Sequence, residues 1–131
     1  MELSPLTSIS AIDGRYRQQV QHLDEYFSEY ALMKYRVVVE IEYLLFLSGK
    51  KLFTLPAAAV KGLNTLKDEF TLQHAQRIKE IEATTNHDVK AVEYFIKETL
   101  EQCDGTDAKE WVHFGLTSQD INNTAIPLLW K

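Results

Sequence analysis

Residues 23–48 read LDEYFSEYALMKYRVVVEIEYLLFLS, and this stretch decides the fold. Tyr30, Val37, Val38, Ile41, Leu44 and Leu45 recur at spacings of three and four, which places them on one face of an α-helix. Leu32, Tyr35, Val39 and Phe46 form a second stripe on another face. A helix that is apolar on two faces is packed on both sides, so the pattern predicts a helix over about 23–48 in the middle of a bundle. Gly49, followed by Lys50 and Lys51, supplies the stop, because glycine accepts a left-handed cap and cations suit the negative helix end. The aromatics Tyr26, Phe27, Tyr30, Tyr35, Tyr43, Phe46 and Phe53 are expected in the core rather than on a stacking platform.

Working outward, the same period continues and no strand-like alternation appears, so the fold class is all-α. Pro56 pre-sets the first turn of a second helix with Val60, Leu63, Leu66 and Phe70 on one face. Residues 71–82 are amphipathic and polar enough for a surface helix. Residues 86–102 give another helix, with Val92, Phe95, Ile96 and Leu100 inward. CDGTD ends it, and KEWVHFG is a short helical or turn segment. In front of the first helix, residues 1–18 form a loop in which Asp13-Gly14 signals a turn.

From Thr117 a last helix is predicted to run to Lys131, still apolar and uncapped, so either the natural protein is expected to continue or the sequence is a fragment that ends inside a helix. Pro127 lies about ten residues into it, where it removes a donor and strains against the carbonyl of Asn123. A proline in a helix interior costs about 3 kcal/mol, so a bend or break is expected near Asn123.

With 131 residues, 45% of them apolar and 25% charged, the chain can build one core. The net charge of −5, with fourteen Lys and Arg spread thinly, offers no footprint for nucleic acid. MELSPLTSIS lacks a signal-peptide pattern and no apolar run is long enough to cross a membrane, which predicts a soluble, cytoplasmic protein. The single cysteine, Cys103, excludes an internal disulfide and reads as a thiol near a helix end. His22, His74, His87 and His113 lack the pairing of a helical zinc site, so no metal is expected. Glycine-rich phosphate loops and GxSxG elbows are missing as well.

Two helix starts share one spacing, Thr85-Asn-His-Asp88 and Thr117-Ser-Gln-Asp120. Each fits a capping box, which by itself says only that a helix begins. Helix starts also expose unpaired amides and partial positive charge, so they receive carboxylate or phosphate readily. His87 adds an imidazole to the first, and TSQDINN adds two hydroxyls and an amide to the second. Arg15 in the DGRY turn adds a charged fork suited to such anions, and Tyr16 adds a ring and a hydroxyl. A polyanionic small molecule would suit this set, whereas a capped helix with a surface histidine is the plainer alternative.

The stretches TSISAIDGRY, RIKEIEATTNHDVKAVEYFIKE and VHFGLTSQDINNTA, in that order, resemble the N-terminal third of the adenylosuccinate lyase family in the fumarase/aspartase superfamily. The resemblance implies an all-α fold, with residues 1–116 as its N-terminal helical domain and 117–131 as the start of a long helix of the central bundle. It implies a homotetrameric, cofactor-free enzyme with active sites shared between subunits. That enzyme eliminates fumarate from adenylosuccinate, giving AMP, and from succinylaminoimidazole carboxamide ribotide in purine biosynthesis.

Carried over by position, the resemblance implies that Arg15 and Tyr16 bind the nucleotide and that Asn86, His87 and Asp88 bind substrate, with His87 supporting the catalytic acid. Thr117 and Ser118 would bind the succinyl part, and His113 matches a histidine just before them. The family's second catalytic histidine and its serine-bearing loop have no counterpart within these residues, so the chain alone is expected to be inactive. The alternative is a helical interaction module without chemistry, which accounts for the periodicity but not for the joint occurrence of DGRY, TTNHD and TSQDINN.

Overall fold

A computed structural model describes Glu2 and residues 4–131; Met1 and Leu3 of the predicted opening loop lie outside the described residues. Among the described residues seven α-helices follow in chain order: α1 (Arg17–Val20), α2 (Asp24–Phe27), α3 (Glu29–Gly49), α4 (Ala57–Asp68), α5 (Leu72–Thr85), α6 (Asp88–Gln102) and α7 (Ser118–Leu129). Short 3-10 turns occupy Gln21–Leu23 and Thr106–Trp111, and no strand occurs among the described residues. The chain is all-α.

The long helix is the hub, as its two apolar stripes predict: α3 packs against α2, α4, α5, α6 and α7. Met33, Val37, Ile41 and Leu44 are its buried core contacts. They meet Leu63 and Leu66 of α4, Ile78 of α5, and Val92, Phe95, Ile96 and Leu100 of α6 in one core. Tyrosines on α3 fix the loops at both of its ends: the Tyr30 hydroxyl donates to the Phe70 carbonyl at 2.8 Å, and the Tyr43 hydroxyl donates to that of Phe114 at 3.0 Å. Phe53 stacks on Trp111 with centroids 4.9 Å apart.

Several expectations are corrected. The helix predicted from residue 23 begins at Glu29, because Ser28 adopts an extended conformation and its side-chain oxygen accepts from the Ala31 amide as an N-cap. Residues 24–27 form a separate turn of helix, which leaves Tyr26 and Phe27 exposed. Phe46 of the second stripe is exposed too, so that face is only partly covered. Gly49 is still helical, and the left-handed residue that turns the chain is Lys51.

No break occurs at Asn123, since α7 runs without interruption to Leu129. Pro127 sits so close to the helix end that one carbonyl, on the exposed Asn123, loses its partner, and water can replace it. Among the described residues no helix is long and apolar enough to cross a membrane.

Candidate functional site

The helix start at residues 85–88 is built differently from the predicted capping box. Thr85 is the last residue of α5, so the chain must reverse within two residues before α6 begins. Asn86 makes that reversal in the left-handed region, at φ 51° and ψ 30°, which asparagine tolerates better than most residues. His87 therefore becomes the N-cap, and its Nδ1 accepts from the Lys90 amide at 3.1 Å. The Thr85 hydroxyl donates to the His87 carbonyl at 3.2 Å, and Asp88 Oδ1 accepts from the Val89 amide at 2.8 Å.

This cap has a chemical consequence. A ring whose Nδ1 accepts must, when neutral, carry its proton on Nε2. His87, half-exposed at the helix start, thus carries an N–H donor on Nε2 in its neutral form.

The second start follows its prediction. Asp120 Oδ2 accepts from both the Thr117 amide, at 2.8 Å, and the Thr117 hydroxyl, at 2.9 Å. Those bonds, the amide first, hold the Asp120 carboxyl below its ordinary range. The Ser118 hydroxyl makes no hydrogen bond among the described residues, so it is free to meet a ligand.

Arg36, on the buried face of α3, joins the two starts. One guanidinium nitrogen lies 2.8 Å from Asp88 Oδ2, and Nε donates to Asn122 Oδ1 at 2.9 Å. A planar fork with several donors can grip two acceptors at once, which a lysine could not do in this geometry. Burial pushes the Asp88 carboxyl up, but the Val89 amide and the Arg36 charge outweigh it and leave Asp88 below its ordinary range. Asn86, His87 and Asp88 are in this way pinned beside the first turns of the helix that Thr117 and Ser118 open.

Arg15 and Tyr16 stand apart. Both are exposed, and the Arg15 guanidinium lies 4.8 Å from the centroid of the Tyr16 ring. Gly14 beneath them is buried, and a Cβ there would come within 2.9 Å of the Pro5 carbonyl oxygen, so the DGRY turn needs its glycine for close approach. Among the described residues no hydrogen bond or ion pair links Arg15 or Tyr16 to either helix start.

His113 lies in the connection before α7, with a left-handed backbone at φ 62°. Its Nδ1 is 2.5 Å from Glu40 Oε1 on α3. Burial pushes the Glu40 carboxyl up, and His113 offsets this only in part.

Sequence reasoning missed Arg36, Glu40 and Asn122. The available signal was charge on an apolar stripe: Arg36 and Glu40 lie among Val37, Ile41 and Leu44 on the face of α3 that the periodicity marks as buried. A buried charge needs a buried or half-buried partner, and that demand could have been read before any partner was known. For metals, no three His, Cys, Asp or Glu side chains among the described residues are grouped so as to hold an ion.

Comparison with known proteins supplies the wider setting. Residues 14–131 match a family model described as Lyase. The chain is 58% identical over 137 residues to an adenylosuccinate lyase of Dictyostelium discoideum, covering 98% of this chain and 29% of that protein. It is 46% identical over 136 residues to the adenylosuccinate lyase of Escherichia coli (strain K12), covering 100% of this chain and 30% of the relative. The corresponding enzyme of Haemophilus influenzae is 44% identical over 134 residues, covering 98% and 29%. The chain thus spans 29 to 30% of the length of these curated relatives.

Proposed function

The chain belongs to the lyase family, and from that premise we propose that it is the N-terminal portion of an enzyme that eliminates fumarate from adenylosuccinate, giving AMP, and from succinylaminoimidazole carboxamide ribotide in purine biosynthesis. The observation that carries this reading is the Arg36 clamp, which ties the helix start capped by His87 to the helix that Thr117 and Ser118 open. Two helix N-termini and an imidazole donor side by side suit a substrate that carries carboxylates and a phosphate.

In the elimination a base removes the proton from the carbon next to a succinyl carboxylate, and that carboxylate carries the developing negative charge. The C–N bond then breaks, its electron pair passes to nitrogen, and an acid protonates the departing nitrogen. Positioned donors suffice for this charge, so the reaction needs no cofactor. Arg15 and Tyr16 hold the nucleotide, Asn86, His87 and Asp88 bind substrate, and Thr117 and Ser118 hold the succinyl end. His87 supports the acid through its Nε2 proton, and the principal acid and base come from outside these residues.

On the same reading, residues 1–116 form the N-terminal helical domain and 117–131 begin the central helix of a cytoplasmic homotetramer. Its active sites are shared between subunits. The rival reading, a helical interaction module, gives no reason for an N-cap histidine tied to a second helix start by a buried arginine.

Arg15→Ala in the full-length enzyme containing this segment tests the assignment. Removal of one charge-assisted anion contact should raise KM about tenfold or more with a smaller change in kcat and no loss of thermal stability. Unchanged KM with lowered stability would point to a structural role instead.

A further inference from the structure

The pair formed by Glu40 and His113 is unused by the mechanism above, and its construction is unusual. Glu40 sits on the core-facing side of α3 with no exposed side-chain surface, among Val37, Ile41 and Leu44. A carboxylate in such surroundings loses its hydration and needs compensation. His113 Nδ1, 2.5 Å from Oε1, is its one hydrogen-bond partner among the described residues, and Oε2 is buried without any.

The loop bearing His113 is held to fit this contact. His113 and Gly115 both adopt left-handed backbone, at φ 62° and φ 71°, and the next carbonyl, that of Phe114, accepts from Tyr43 one turn beyond Glu40 on α3. Arg36, Glu40 and Tyr43 thus grip in turn the two helix starts, the imidazole and the loop behind it.

The ring keeps 18% exposure while the carboxylate has none, so its open edge lies away from Glu40. Its Nε2 has no hydrogen-bond partner among the described residues. His113 also lies within electrostatic range of Asp120 at the start of α7. A pair that served packing alone would be expected to satisfy the buried outer oxygen, yet Glu40 Oε2 is left without a partner.

We propose that Glu40 is the positioning residue of His113: it keeps the proton on Nδ1 and turns Nε2 toward the substrate side of the α7 start. This rests on the lyase reading given above. It adds to that reading a residue of α3 that touches no substrate and acts only through the ring it orients. A carboxylate can only accept from Nδ1, whereas an amide can accept or donate, so Glu40→Gln keeps the shape of the contact while releasing the tautomer.

Two measurements test the proposal. Nitrogen-15 spectra of the His113 ring in this chain should show Nδ1 protonated, and a mixture of tautomers in Glu40→Gln. In the full-length enzyme, Glu40→Gln should lower kcat/KM at least tenfold when His113 is present and have no further effect in a His113→Ala background. An unchanged tautomer, or an equal loss in both backgrounds, would overturn the proposal. If His113→Ala is harmless while Arg15→Ala and His87→Asn are damaging, the proposal falls and the lyase reading stands; if all three are harmless, the lyase reading falls with it. Should Glu40→Gln fail to fold by circular dichroism, Glu40→Asp, which withdraws the carboxylate by one methylene, carries both readings.

Discussion

Arg36 is the residue on which the site's geometry turns, and its replacement should show this thermodynamically. Arg36→Leu leaves Asp88 and Asn122 without their shared donor. Breaking a fully buried pair costs about 3–5 kcal/mol; because the Asp88 side chain is 48% exposed, water will soften the loss to about 2 kcal/mol. The pH dependence has a definite sign. Asp88 titrates below its ordinary range in the folded state, so its contribution is present above about pH 4 and is lost as pH falls through the folded value. Urea unfolding at pH 7 and at pH 3 should therefore show a stability gap between the wild type and Arg36→Leu that narrows in acid.

At this scale the sequence was partly legible. The DGRY, NHD and TS residues stand out because each type suits anion binding near a chain reversal or helix start. Arg36 and Asn122, 86 positions apart, did not stand out, because their meeting is set by how α7 lies on α3. The Thr85 cap was misassigned because α5 continues through the threonines, and no local pattern announces that two helices will share so short a corner.

Among the elements, the pairing of α4 with α6 depends on one missing side chain. A Cβ on Gly62 would lie 2.3 Å from the Cys103 sulfur and 3.2 Å from its Cβ. Alanine ordinarily favours a helix interior over glycine by about 1 kcal/mol. Here the clash should reverse the sign, so Gly62→Ala lowers stability by about 1–3 kcal/mol, as overpacking does. Adding Cys103→Ala removes the sulfur and should recover most of that loss in thermal melts, a coupling that independent sites would not show.

The helices themselves were legible from periodicity, since the apolar stripes of α3, α4 and α6 are the surfaces that meet in the core. Ends were less so. The start of α3 depends on Ser28 competing as a cap inside an otherwise helical pattern, and its stop depends on a left-handed lysine rather than on the adjacent glycine. Pro127 shows the same limit: its cost depends on how many turns follow it, and only two residues of α7 do.

For the molecule as a whole, the helices bring two of the three predicted binding segments together and leave the Arg15–Tyr16 turn unconnected to them by any described hydrogen bond. On the proposed reading, the anion site is completed from elsewhere. The chain alone, incubated with adenylosuccinate, should accordingly release no measurable fumarate; steady turnover by these 131 residues would refute the assignment of acid and base to positions outside them. The family and the order of its motifs were legible because short polar segments keep their spacing along the chain. The buried polar contacts of α3 were not, because they are properties of the packed helices.

The central claim is that the N-cap histidine of α6 serves substrate as well as the helix. His87→Asn separates the two roles, because asparagine is itself a favoured N-cap and removes only the imidazole. The decisive measurement is fumarate release by the full-length enzyme carrying this change, alongside its melting temperature. The account predicts a melting temperature close to that of the wild type and a kcat/KM lower by about a hundredfold or more, the scale of a lost proton donor. Wild-type turnover from His87→Asn would contradict it.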